Sequence, residues 1–283
     1  MPATLAAFEK KKDYLVCVDS DGCAVDTMDV KHKTCFGPCM VAEWGLEAWK
    51  EPILARWDEI NLYSMTRGVN RYKALAMCLD EVDRQYTPID GVEALRAWAE
   101  NAKELSNPAL KREIEKNPAP ILKKALSWSE AVNRAIAALP WSVKRAFPGV
   151  KEAFEAARPY ADIAVVSSAN RDAVEEEWEK FGLMELVDIV LCQDAGSKAA
   201  CLAALKEKGY APDHILMVGD APGDREAARK NEVLFYPILV KGEEASWREF
   251  PWALRRLLAG EYGAYGQRMD EAFLENLSGG ADA

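Results

Sequence analysis

Asp19 and Asp21 stand one residue apart in YLVCVDSDGCAVDT, residues 14–27, where an apolar run ends. Two carboxylates at the mouth of a buried strand repel each other. Desolvation makes that costly unless a positive group or ion lies beside them. Other strand-like runs also end on polar residues. Ser167-Ser168-Ala169-Asn170 follows one, Gly219-Asp220-Ala221-Pro222-Gly223-Asp224 follows another, and Lys198 opens a helix-like segment after a third. Open parallel sheets place their sites at the carboxyl ends of strands, so these groups are expected on one rim. An oxygen-only, carboxylate-rich and water-accessible set built from Asp19, Asp21, Asp220 and Asp224 suits Mg²⁺. With the charge so balanced, Asp19 stays ionised and suits a nucleophile. Asp21, where the chain is leaving the strand, suits a general acid and then a base. Ser167 and Lys198 suit holding an anionic group that faces Asp19, and Ser168 and Asn170 beside Ser167 are candidate substrate-binding residues. A trigonal anion gaining charge at its equatorial oxygens needs such support, as in phosphoryl transfer.

Five short β-rich runs must position these residues: Tyr14–Val18, Ile163–Ser167, Val187–Cys192, His214–Val218 and Val233–Leu239. Helix-like segments separate the last four, which predicts a parallel sheet with helices on both faces. Asn170 and Ser197 read as N-caps, Gly182 and Gly209 as residues just past helix ends. The segment DREAARKN is expected to open near Asp224, which reads as an N-cap, and to close at Asn231.

Between Thr27 and about Phe147 the texture is wholly helical, and six of the nine tryptophans lie between Trp44 and Trp141. Packing in a helical bundle explains that enrichment better than cofactor stacking. The fold class expected is therefore α/β, a Rossmann-like parallel sheet core with an inserted all-helical cap domain. The core is expected over 1–27 and 147–283, the cap over 28–146, with crossings near 28–40 and 140–149. Two further amphipathic helices after Val240 leave open packing on the core or on a second chain, so a homodimer is an open expectation. SGGADA reads as a frayed tail.

The chain has 283 residues, 49% hydrophobic and 29% charged, with a formal net charge of −10. That acidity argues against nucleic acid or an anionic membrane as the main partner, though not against a small anion in a local positive pocket. No apolar run reaches membrane-spanning length, and the N-terminus lacks the apolar core of a signal peptide. The seven cysteines are scattered, two of them (Cys17 and Cys192) inside strand-like runs. Such usage suits a reducing cytoplasm.

DSDG at 19–22, Ser167 in VVSSAN, the lone Lys198 and GDAPGD at 219–224 resemble, in order, the four motifs of the haloacid-dehalogenase-like hydrolase superfamily. The resemblance spans residues 14–27 and about 147–240. It implies a Rossmann-like core with a mobile cap, and the helical insert is similar to the family's caps of the first type. It also implies an aspartyl-phosphate on Asp19, acid/base work by Asp21, and Mg²⁺ held by Asp19, the backbone carbonyl of Asp21 and Asp220, with Asp224 ligating or just behind. Lys198 lacks the proline that commonly follows in the family, and the insert is longer than usual for such caps. Both departures bear on subfamily more than on chemistry. A second aspartate at Asp21 favours phosphatases and phosphomutases over dehalogenases.

Plainer roles compete at several positions. Ser167 would serve to cap the next helix, and Lys198 to meet solvent, although a cation in a first helical turn opposes the helix dipole. His214 reads as structural. His32, between Lys31 and Lys33 where the chain leaves the core, is a candidate substrate contact. So are Arg67 and Arg71, around a glycine-containing turn, since guanidinium suits bidentate recognition of carboxylate or a second phosphate. A solvated turn with Asn70 as N-cap is the plain alternative. The function expected is Mg²⁺-dependent hydrolysis of a small phosphorylated metabolite. A phosphomutase using the same residues and a non-catalytic phosphometabolite-binding protein are the rivals. Phosphonate hydrolysis, which needs a cap lysine such as Lys31 or Lys33, is a weaker one.

Overall fold

The computed structural model describes residues 4–279. The chain divides into two compact units. One runs through Met28 and resumes at Lys144; the other is Asp29–Val143.

The first unit is built on five parallel strands: β1 (Tyr14–Val18), β4 (Ala161–Val166), β5 (Ile189–Leu191), β6 (Ile215–Gly219) and β7 (Leu234–Pro237), in the order β5-β4-β1-β6-β7. Strand side chains alternate between faces, and both faces are apolar, as a sheet covered on two sides requires. Val16, Val18, Ile163 and Val165 join a core with Phe154, Trp178, Trp247 and Phe250. Leu15, Cys17, Ala164 and Val166 face the opposite core with Leu202, Leu205 and Tyr210. At the opposite end of the sheet from the strand-end acids, buried Asp162 accepts the N–H groups of Lys11 (2.8 Å) and Lys12 (3.0 Å), and the Tyr210 hydroxyl.

A two-stranded antiparallel ladder, β2 (Val25–Asp26) with β3 (Arg145–Ala146), lies where the chain leaves and re-enters this unit. The Arg145 guanidinium adds an ion pair to Asp26 at 2.8 Å. This pairing draws Lys144–Ala146 into the core unit. The helical unit therefore ends at Val143, earlier than the helical texture of the sequence indicates.

Asp29–Val143 contains helices and no strand. Its core gathers Phe36, Trp57, Tyr72, Trp98 and Trp128, so the tryptophan enrichment is largely packing. Two stretches, His32–Phe36 and Glu59–Tyr63, are wound as π-helix. Such turns are rare and often mark functional positions.

Among the described residues, no helix is long and apolar enough to cross a membrane. All seven cysteines are free, six of them buried.

Candidate active site

The parallel register of β1 and β6 pairs Val18 with Val218. One residue further, Asp19 N–H still donates to Val218 O at 3.0 Å. Asp19 and Asp220 therefore leave adjacent strands at the same edge. Asp224 joins them from the first turn of the Pro222–Asn231 helix. Carboxylate oxygens of Asp19, Asp220 and Asp224 all lie within 4.8 Å of one another, and all three residues are buried.

The helix bearing Asp224 begins two residues earlier than the sequence suggests. Pro222, pre-set for a first helical turn, takes that role, and Asp224 is the third helical residue rather than the N-cap. Its carboxylate reaches back to accept the Ala221 N–H at 3.1 Å. Gly219 makes room for it: a Cβ there would lie 2.3 Å from the Asp224 carboxyl carbon. The glycine of GDAPGD is thus required by a close approach rather than by a special φ.

Lys198 opens the Lys198–Lys206 helix, capped by the Ser197 hydroxyl on Ala200 N–H at 3.2 Å. Its ammonium lies 2.7 Å from Asp19 Oδ2 and 2.6 Å from Asp224 Oδ1. Burial works against that charge, but the Asp19 and Asp224 carboxylates outweigh it and hold the ammonium above its ordinary value. Burial also pushes the Asp224 carboxyl up, to about 7; Lys198 opposes this, while Asp19 and Asp220 add to it. Three carboxylates around one ammonium leave negative charge in excess. A hard divalent cation with oxygen ligands fits that donor set.

Asp21 lies in the turn after β1, where Gly22 adopts φ 81° and Gly22 N–H donates to Val25 O at 2.9 Å. The Thr27 hydroxyl donates to Asp21 Oδ1 at 2.8 Å. Thr27 is buried; in the sequence it is marked only as a hydroxyl six residues after Asp21, across a glycine turn. Asp21 is outside the group of three close carboxylates. Ser167 is buried just beyond β4, and its Oγ accepts the Ala169 N–H at 3.2 Å. Ser168 and Asn170 are exposed, and Asn170 caps the Arg171–Lys180 helix through Ala173 N–H at 3.3 Å.

A family model described as haloacid dehalogenase-like hydrolase matches residues 93–237, just over half of the chain. The chain belongs to this family. The match takes in Ser167, Lys198, Asp220 and Asp224, and begins after Asp19 and Asp21. Among solved structures, a haloacid dehalogenase-like family hydrolase from Xanthomonas campestris is 15% identical, with a TM-score of 0.50 over 93% of this chain and 97% of that one. A hydrolase of the same description from Streptococcus pneumoniae is 15% identical, with a TM-score of 0.49 over 84% and 90%. A candidate β-phosphoglucomutase from Thermotoga maritima is also 15% identical, at 0.48 over 87% and 99%. The first of these likenesses supports the fold. No curated protein matches the chain.

The helical unit carries the remaining candidates. His32 lies in the first π-helical stretch, stacked on Phe36 with ring centroids 4.5 Å apart. Its Nδ1 accepts the Trp57 indole N–H at 3.2 Å. Indole only donates, so the proton of the neutral imidazole is on Nε2. Arg67 is buried and donates from Nη1 to Leu62 O at 2.7 Å. Arg71 spends Nη1 on Ser129 Oγ (3.1 Å) and Asn133 Oδ1 (2.7 Å), with its guanidinium 5.0 Å over the Phe36 ring. Among the described residues, no carboxylate pairs with Arg71 and no hydrogen bond runs from its Nε or Nη2.

Proposed function

We propose that this haloacid dehalogenase-like hydrolase cleaves phosphate monoesters of a small metabolite with the help of Mg²⁺. The observation that carries the reading is the group of Asp19, Asp220 and Asp224 oxygens within 4.8 Å, with Lys198 salt-bridged to two of them. An acid cluster serving only to cap or to solvate would not be buried this deeply.

In this reading Asp19 attacks phosphorus through a carboxylate oxygen and the ester oxygen departs, leaving an aspartyl-phosphate. Lys198, 2.7 Å from Asp19 Oδ2, orients the attacking carboxylate. Asp21, steadied by the Thr27 hydroxyl, gives its proton to the departing oxygen. It then takes a proton from the water that cleaves the acyl-phosphate, which regenerates Asp19 and releases phosphate. Ser167 and Lys198 hold the non-bridging oxygens, with Ser168 and Asn170 beside them. Asp19, Asp220 and Asp224, with the Asp21 carbonyl, would hold Mg²⁺, which supplies charge neutralisation for the transferring group.

The reading extends to Asp29–Val143 as the cap that admits and selects the substrate. There Arg71 offers the Nε and Nη2 edge of an anchored guanidinium, a shape matched to a carboxylate or a second phosphate. His32, in the His32–Phe36 π-helical stretch, stands in the same unit as a candidate substrate contact. Arg67, buried and tied to the backbone, supports the turn before Arg71.

The test is phosphate release from a panel of phosphorylated sugars, acids and nucleotides plus p-nitrophenyl phosphate, with Mg²⁺ and with chelator, beside Asp19→Asn. Release that needs Mg²⁺ and vanishes in the variant is expected. Release unaffected by Asp19→Asn would refute the nucleophile. No release from any compound would count against the hydrolase.

A further inference from the structure

Two indole groups grip the loop that carries Asp19 and Asp21. Trp178, on the Arg171–Lys180 helix, donates its Nε1–H to Ser20 Oγ at 2.9 Å. Trp247, on the Glu243–Leu258 helix, donates its Nε1–H to Cys23 O at 2.8 Å. Both rings are fully buried. The Phe154 ring contacts both, 5.7 Å from Trp178 and 5.9 Å from Trp247 between centroids. Ser20 is the residue between the two aspartates and is itself fully buried. Its carbonyl accepts three backbone N–H groups, from Cys23 (3.2 Å), Ala24 (3.0 Å) and Val25 (2.9 Å). The turn after the nucleophile thus closes on Ser20, and Ser20 is held from behind by Trp178.

Packing alone asks for rings of the right volume. It does not ask that two indole N–H groups from separate helices end on one short loop. Each N–H would be costly to bury without an acceptor, so each ring has one preferred orientation, and the loop is fixed with it. We propose that Trp178 and Trp247 are positioning residues, joined through Phe154 into a clamp that sets the turn that follows Asp19 and carries Asp21. The proposal rests on the hydrolase reading for its catalytic consequence, but not for the clamp itself.

Trp178→Phe keeps a ring and removes the donor. The expected result is a kcat about tenfold lower, with KM for p-nitrophenyl phosphate within about twofold, since the loss falls on the reacting groups. Ser20→Ala removes the acceptor, so the double variant Ser20→Ala/Trp178→Phe, which leaves no orphaned hydroxyl, should be no slower than the slower single variant. Amide hydrogen exchange supplies a readout independent of turnover. Protection at Cys23, Ala24 and Val25 should fall in Trp178→Phe while the amides of β1 and β4 keep theirs. A kcat unchanged by Trp178→Phe, additive losses in the double variant, or protection lost evenly across the sheet would overturn the proposal. A wild-type chain inactive on every phosphoester would refute the hydrolase reading instead. Loop-confined loss of protection would then still support the clamp, and even loss would overturn it.

Discussion

Replacing Lys198 by methionine keeps the stem and removes the ammonium that lies 2.7 Å from Asp19 and 2.6 Å from Asp224. At an effective dielectric constant of about 20, each contact corresponds to roughly 6 kcal/mol of attraction, largely offset by the desolvation of the groups involved. What the substitution leaves is two buried carboxylates without their cation. Breaking a buried pair in this way costs about 3–5 kcal/mol. For a unit of this size that lowers Tm by about 6–20 °C. The loss depends on pH. Burial raises the folded value of the Asp224 carboxyl to about 7, above its unfolded value. The folded state therefore binds that proton more tightly, and this group's contribution is present at low pH and lost as pH rises through about 7. A protonated Asp224 needs no cation, so the damage should be greater near about pH 8 than near about pH 5. Millimolar Mg²⁺ should restore part of the loss by binding only the folded state. Thermal unfolding of Lys198→Met and wild type, in chelator and in Mg²⁺ at both pH values, measures all of this. A Tm drop under about 2 °C in chelator at the higher pH, or one unchanged by Mg²⁺, would refute the electrostatic account.

Gly219→Ala should displace the Asp224 carboxyl, because the new Cβ would lie 2.3 Å from its carbon. The expected cost is about 1–3 kcal/mol of stability together with weaker Mg²⁺ binding, read by denaturant unfolding and calorimetric titration; wild-type values in both would contradict the close-approach reading. In the helical unit, burial raises the Asp58 carboxyl to about 6, with Lys33 opposing and Asp29 adding to it. That group's stabilising contribution is present below its unfolded value and lost as pH rises through about 6. Asp58→Asn should therefore raise Tm at about pH 7.5 and change little at about pH 4, and an equal effect at both would exclude Asp58 as the source.

Much of the architecture was legible because its signals are local. Apolar runs of strand length alternating with capped helices announced the parallel sheet, and the loss of strand signals after Thr27 announced the helical insert. The division after Val143 falls within the crossing expected near 140–149, and β3, only two residues long and formed by pairing with β2, left no strand signal to place it more closely. Asp224 was misassigned as an N-cap because both Pro222 and Asp224 suit helix starts, and only the backbone shows that Pro222 takes the first turn.

By itself the sequence determined which residues stand at strand ends: Asp19, Ser167 and Asp220 follow directly from hydrophobic runs, and covalent connection keeps them there. Tertiary structure decided what those residues touch. Lys198 and Asp224 meet across 26 residues, Trp178 and Ser20 across 158, and Trp247 and Cys23 across 224. Arg67 turns inward to Leu62 O, while Arg71 is anchored by Ser129 and Asn133. Periodicity shows which face of an element is apolar, over a few residues at a time. The partner of a buried polar group is set by strand order and helix packing, which join segments that no local pattern relates.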